Sequence, residues 1–356
     1  MGVMLPTERR AQLLRELRVH GTVRTEEFAM RVGSSGMTVR RDLADLEQAG
    51  LLRRVHGGAE APGEPSAPRG SAPVATIGMV VPSASYYFPD VIRGAQAAIT
   101  AAGSRMILAV SEYSPTRERE QITRLLDRGV DGLLVAPASH ATEDPETYRL
   151  LASAPAAVVV LERSLDGSPW QGELDVVRCD HEVGGQRAAT HLLETGCTRL
   201  LVATRSGPTA PLVRAGARQV AQSAGLEVEV LTLPPANAPG AELHEALAVI
   251  TDRARTGDVD GVIVVPDEVA IGLIDLADDA GLAVPGDLAV VAYDDEVAAL
   301  CATPLTAVAP PRRDAGTSSA DLCLGRVMSR LRADAPRAWS SLALSPVLRV
   351  RGTTTS

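Results

Sequence analysis

The 356-residue chain has no lysine, so all 35 basic residues are arginine, a bias of composition rather than a functional signature. Aromatic residues are nearly as scarce, nine in all. The four cysteines (Cys179, Cys197, Cys301, Cys323) are widely separated, without a Cys-x-x-Cys pair or histidines at zinc-ligand spacing. This argues against a zinc site or a disulfide framework and for reduced structural thiols. No apolar run reaches the roughly 18–20 residues of a membrane span. The opening "MGVMLPTERRAQLL" lacks the apolar stretch of a signal peptide, so the expected location is cytoplasmic, without membrane contact. Catalytic signatures are missing as well. "HEVGG" at 181–185 lacks the second histidine of a zinc helix, and neither Gly-x-Ser-x-Gly nor Gly-x-Gly-x-x-Gly occurs. "DVDG" at 258–261 opens like a calcium loop but leads straight into an apolar strand. The expectation is a non-enzyme with no cofactor and no metal.

What is present describes a soluble globular protein of two or three domains, with 45% hydrophobic and 22% charged residues. The net charge of −9 is unevenly spread. Residues 1–60 hold ten arginines against eight acids, about +2, which leaves about −11 for the rest. A basic head on an acidic body points weakly to nucleic acid.

The head reads as three helices and a hairpin. Thr7 is placed to cap a first helix with Leu13, Leu14 and Leu17 at helical spacing, closed by Gly21. Thr25 is placed to cap a second, carrying Phe28, Ala29 and Val32 and ending at Gly33. A third begins near Ser35, buries Val39, Leu43 and Leu46, and stops at Gly50. On its other side lie Met37 and Arg41, flanked by Thr38 and Arg40. "LLRRVHGG" then forms a wing that turns near Gly57 and Gly58 and offers Arg53, Arg54 and His56 to phosphates. Such a third helix fits the major groove, where arginine can read guanine. The pattern alone also fits a solvated helix face. The string "MTVRRDLADLEQAGLLRRVHGGA" resembles the winged helix-turn-helix of DeoR-type bacterial regulators, and the similarity covers residues 5–59. It implies double-stranded operator DNA as a partner, met by Ser35, Met37, Thr38, Arg40, Arg41, Arg53, Arg54 and His56.

Residues 60–73, "EAPGEPSAPRGSAP", contain four prolines and two glycines and can form neither a helix nor a central strand. They are a linker. From Val74 short apolar strands alternate with amphipathic helices, the texture of parallel sheets covered on both faces. The body also repeats itself: "GVDGLLVAP" (129–137) returns as "DVDGVIVVP" (258–266), and "TIGMVVP" (76–82) as "TRLLVAT" (198–204). Two similarly wound subdomains should therefore face each other across a cleft at the carboxyl ends of their strands. Tyr86, Tyr87 and Phe88 follow the first strand and Tyr293-Asp294-Asp295 follow "LAVVA", residue types suited to a polar ring-shaped ligand. Core aromatics and loop-capping acids are the alternative reading.

The stretch from "IGMVVPSASYYFPD" through "VAYDDEVAALCATPLTAV" and on towards Val350 resembles the effector domain of LacI/GalR regulators, over about three-quarters of the chain. The combined fold class is α/β: an N-terminal winged helix-turn-helix followed by a two-lobed periplasmic-binding-protein-like domain, with parallel sheets flanked by helices. The expected domains are 1–59, the linker 60–73, and 74–356. Lobe 1 takes about 74–163 and 308–335, and lobe 2 about 164–307 and 336–356. The resemblance implies a small sugar-like effector and a homodimer. Its ligand positions fall on Ser85, Phe88, Arg163, Asp267 and Asp294, to which the residue reading adds Tyr87 and Tyr293. Pro266 stands where the family has asparagine; Val213 stands where it has arginine, with Arg214 one place away. The implied function is a sequence-specific transcription regulator, a repressor, controlled by a ligand between two lobes. A ligand-binding protein without regulatory output and a constitutive DNA binder are the alternatives.

Overall fold

The computed structural model describes residues 9, 10, 12, 13, 16, 17, 22–48, 52–55, 57–60, 74–335 and 337–355. Thr7, Leu14, Gly21, Gly50, His56 and linker residues 61–73 lie outside the described set, as does the side chain of Arg53. The chain divides into two compact units, Met1–Ala72 and Pro73–Ser356.

In the first unit the described residues between 9 and 17 are helical. They are followed by β1 (Thr22–Arg24), α1 (Thr25–Arg31), α2 (Gly36–Gln48), β2 (Arg53–Val55) and β3 (Gly58–Glu60). The expected stripe of Val39, Leu43 and Leu46 is buried against Leu13, Leu17 and Phe28. The wing is an antiparallel hairpin to which β1 adds a third strand, in the order β1-β3-β2. Because β1 runs up to Arg24, Thr25 is not the cap expected of it. It is buried as the first helical residue, and its N–H donates to the Gly57 carbonyl across the sheet. A β-carbon at Gly58 would lie 2.0 Å from the Val23 carbonyl oxygen, so the wing packs this closely only with glycine there.

The second unit holds two six-stranded sheets. The first contains β4 (Thr76–Val81), β5 (Arg105–Val110), β6 (Gly132–Val135), β7 (Ala157–Leu161), β8 (Asp175–Cys179) and β14 (Ser341–Leu344). Its order is β14-β8-β7-β6-β4-β5, parallel throughout. The second contains β9 (Leu200–Arg205), β10 (Val228–Leu233), β11 (Gly261–Val265), β12 (Ala289–Tyr293), β13 (Thr306–Ala309) and β15 (Val347–Arg349). Its order is β10-β9-β11-β12-β13-β15, and only β15 is antiparallel. The helices are α3 (Phe88–Ala101), α4 (Pro115–Asp127), α5 (Pro145–Ala152), α6 (His181–Glu194), α7 (Thr209–Ser223), α8 (Gly240–Thr256), α9 (Asp267–Asp279) and α10 (Arg312–Leu331). The α/β class with parallel sheets is thus borne out.

The two sheets share one strand order, differing in the direction of the edge strands β14 and β15, and the sequence repeats occupy equivalent places: β4 matches β9, and β6 matches β11. The repeated Val-Asp-Gly has one job in both. Asp131 accepts from the Thr76 N–H at 2.7 Å, and Asp260 accepts from the N–H groups of Thr198 and Arg199. Each aspartate ties the start of its strand to the start of its neighbour.

The lobe boundaries need correction. β8 (175–179) and β14 (341–344), assigned from sequence to lobe 2, both pair within the first sheet. Apolar periodicity marks a strand but not the sheet that it joins. The chain therefore crosses between lobes three times: after β8 into α6, after β13 into α10, and between β14 and β15.

Each of the first two crossings ends in a helix that packs unusually close to another. A β-carbon at Gly94 of α3 would lie 2.0 Å from the Arg313 carbonyl oxygen, and one at Gly316 of α10 would lie 1.9 Å from that of Val91. In the other lobe, Gly185 of α6 and Gly216 of α7 would meet the Val213 and Glu182 carbonyls at 2.2 and 1.9 Å. Backbone cannot yield as a flexible side chain can, so overpacking here is costly. Gly316→Ala should lower stability by at least about 1–3 kcal/mol. Gly272→Ala, whose new methyl group meets only Leu247 at 3.4 Å, should leave it unchanged or raised by up to ~1 kcal/mol. Thermal unfolding of the two variants checks this, and equal midpoints would contradict it.

Candidate ligand cleft and nucleic-acid surface

Seven non-glycine residues have left-handed backbone among the described residues, and six stand just past strands of the two sheets. They are Tyr86 after β4, Glu112 and Tyr113 after β5, Glu162 after β7, and Asp294 and Asp295 after β12. Such conformations cost of order 1–3 kcal/mol each and persist where the surroundings impose them. Four of them, Tyr86, Tyr113, Glu162 and Asp294, line the space between the lobes; Glu112 and Asp295 instead pair with Arg117 and Arg351.

That space is a cavity of about 250 Å³. Tyr86, Tyr87, Tyr113 and Arg163 line it from lobe 1, and Arg205, Pro266 and Asp294 from lobe 2. His181, the first residue of α6, lines it where the chain crosses over. The Tyr87 ring stacks edge-on against Phe88 at 5.4 Å and lies beneath the Arg312 guanidinium at 5.5 Å. Arg312 opens α10, donates to the Asp294 carbonyl at 2.7 Å and pairs with Glu296 at 2.9 Å.

A second tie spans the lobes. Tyr86 Oη lies 2.5 Å from Asp267 Oδ1 and 3.3 Å from Asp294 Oδ2. The other oxygen of Asp267 accepts from the backbone N–H groups of Glu296, Val297 and Ala298 at 2.7–3.2 Å. One phenolic proton serves the nearer carboxylate, and the second acid is easier to keep if it is protonated itself. Asp294 meets that condition: burial first, and then the neighbouring Asp267, push its carboxyl up to about 7. Burial also raises Glu162 and lowers His181, the latter to about 3 with help from Arg163 and Arg178. The 3.8 Å approach of His181 Nε2 to Glu162 is therefore a contact between groups pushed towards neutrality, not a strong ion pair.

Four of the residues expected at the ligand line the cavity together: Tyr87, Phe88, Arg163 and Asp294. Four do not. Ser85 is exposed and bonds Ser83; Arg214 reaches away to Thr232 at 3.1 Å. Tyr293 is fully buried, its hydroxyl 3.1 Å from His181 Nδ1. Asp267 is fully buried and holds Tyr86 and the 296–298 loop. Sequence reasoning missed Tyr113, His181 and Arg205. Arg205 was the most accessible of these, because it ends a strand that repeats β4 and so had to reach the cleft.

On the first unit, Ser35 caps α2: its Oγ accepts from the Thr38 N–H at 3.1 Å and meets Thr38 Oγ1 at 2.8 Å. Met37 is 77% exposed, and Arg41 is exposed beside it. Arg40 is held by Glu26 of α1 at 2.7 Å. Arg54 is half-exposed in the wing, with its N–H and guanidinium both turned to Glu47.

A profile of the DeoR-like helix-turn-helix domain matches residues 9–64, and one of the periplasmic-binding-protein-like domain matches residues 189–354. The chain joins a helix-turn-helix domain to a periplasmic-binding-protein-like domain. An arabinose metabolism transcriptional repressor of Geobacillus stearothermophilus is 26% identical over 312 residues, 85% of this chain and 84% of the relative. The ribose operon repressor of Escherichia coli is 27% identical over 290 residues, 78% and 81% of the two chains. The periplasmic-binding-protein-like domain is also similar to a solved LacI family transcriptional regulator from Enterococcus faecalis with bound ribose. That likeness has 26% identity and a TM-score of 0.61, and covers 78% of this chain and 98% of that one. All three are transcription regulators. No helix among the described residues is long and apolar enough to cross a membrane.

The raised Asp294 predicts a pH effect of definite sign. Between its ordinary value of 3.8 and about 7 the folded protein binds a proton that the unfolded chain has released. This contribution therefore makes stability fall as pH rises through that window. Asp294→Asn should remove the fall, so that the variant gains on the wild type from pH 4 to pH 8. Denaturant midpoints across that range measure it, and parallel curves for the two proteins would refute the assignment.

Proposed function

We propose that the protein is a sequence-specific DNA-binding transcriptional repressor whose operator affinity is set by a small polar ligand, a sugar or sugar derivative, bound between the lobes. The observation that carries this reading is the presence, in one chain, of an arginine-bearing helix-turn-helix face and a polar interlobe cavity. The repressor relatives, named for arabinose and ribose, support the same pairing. The chain acts as a homodimer on two operator half-sites, the arrangement that a helix-turn-helix head favours. A ligand that binds open and closed lobes with different affinity changes operator affinity by linkage, whatever route connects the two units.

Arg41 and Arg40 on α2 read base edges, with Met37 and Thr38 beside them; Arg54, and with it Arg53 and His56, meet phosphates. Selection of genomic fragments by the purified protein at near-physiological salt should recover a repeated half-site. On that site Arg41→Ala should cost ~1–3 kcal/mol and relax discrimination at one base pair. Arg53→Ala should weaken specific and random DNA alike and lower the salt slope by about one. Equal losses on specific and random DNA for both variants would overturn the division. A cleft ligand at 100-fold its dissociation constant should add about 2.7 kcal/mol of stability.

A further inference from the structure

We propose that the cleft is built for a ligand with an anionic group as well as hydroxyls, of the class of phosphorylated pentoses and hexoses, its anion held by Arg163, Arg205 and the amino end of α7. The inference rests on the cleft being a sensor and adds the chemistry of what it senses.

It starts from two guanidinium groups that form no ion pair among the described residues. Arg163 lines the cavity at 7% exposure. Its Nη1 donates to the carbonyl of Glu162 at 2.7 Å, and its Nε is buried without a hydrogen-bond partner among the described residues. Arg205 also lines the cavity, and its buried Nε is likewise unpartnered. Among the described residues neither forms an ion pair. Their neighbours differ: Arg312 pairs with Glu296, and Arg351 with Asp295. Guanidinium does not shed its proton, so an unpaired buried one awaits an anion.

The backbone agrees. Arg205 ends β9, and α7 begins four residues later at Thr209, with Ser206, Gly207 and Thr209 on the cavity wall. The amino end of a 15-residue helix after a parallel strand favours negative charge. The acids on the same wall oppose it little, since burial pushes both Glu162 and Asp294 towards their protonated forms. Two guanidinium groups thus face two acids that burial biases towards protonation, within a chain of net charge −9.

Spacing sets the rest of the ligand. β11 lies between β9 and β12, and neighbouring strands are ~4.8 Å apart, so the ends bearing Arg205 and Asp294 stand about 10 Å from each other. A small molecule with a phosphate at one end and hydroxyls at the other fits both. The volume of about 250 Å³ falls short of the ~300–1,000 Å³ typical of drug-sized sites, which favours a single sugar ring.

The test is calorimetric titration of the full chain, at constant ionic strength, with inorganic phosphate, D-ribose, D-ribose 5-phosphate, D-glucose and D-glucose 6-phosphate. Wild type is compared with Arg205→Gln, with Arg163→Gln from the opposite lobe, and with Arg128→Gln as an exposed control, thermal unfolding confirming that each variant folds. The expected result is saturable phosphate binding and at least tenfold tighter binding of a phosphate ester than of its free sugar. Both cleft variants should lose that preference and the control should keep it. Phosphate effects equal in all four proteins would overturn the inference. Free sugars binding as tightly as their esters would overturn it too and leave a sensor of neutral ligands. If nothing in the panel binds, the sensor reading and the inference fall together.

Discussion

Two pairs of helices in the body approach until backbone touches backbone, with a glycine on each side of both contacts. In each pair one helix follows the first strand of its lobe, and the other has just arrived from the opposite lobe. The arriving helices begin with His181, which lines the cleft, and Arg312, which lies over the cleft residue Tyr87. Their placement follows from the contact one or two turns further on. With Gly185 locked against α7, His181 has little freedom to leave its position between Tyr87 and Tyr293. With Gly316 locked against α3, Arg312 stays over Tyr87 and on the Asp294 carbonyl. The cleft walls are thus set by packing outside the cavity lining.

Within those walls the polar chemistry is only partly satisfied from inside. Asp267 has all it can use, three backbone N–H groups and a phenol. Asp294 shares the same phenol at longer range, and Arg163 and Arg205 are short of partners. A buried polar group without a partner costs more than a satisfied one contributes, so the unsatisfied set marks where a ligand would gain most. This criterion separates cleft residues of similar burial: Asp267 reads as a brace and Arg163 as a contact.

Much of this was legible in the sequence, in unequal measure. In the head the apolar stripe of α2 and the wing hairpin were legible, because a 3.6-residue stripe and a Gly-Gly turn are local signals, whereas β1 and the cap of α1 were not. The paired lobes were legible from the Val-Asp-Gly repeat, whose aspartates make the same strand-end bonds in both. Which sheet takes β8 and β14 was not, since a short apolar strand carries no address. The site was half legible. A strand end is predictable, but whether Tyr293 turns inward and Tyr87 into the cleft depends on single dihedral angles that pattern does not encode.

The pair between Arg40 and Glu26 bears on how the head would search a chromosome. On the proposed reading, in which Arg40 faces DNA, Glu26 would be a tethered rival to any phosphate that Arg40 met, always present at the same effective concentration. Passing contacts with arbitrary DNA must displace it for little return, whereas a guanine edge that accepts two hydrogen bonds repays the exchange. An acid placed this way would shorten the time spent on wrong sequences without adding any contact to the right one.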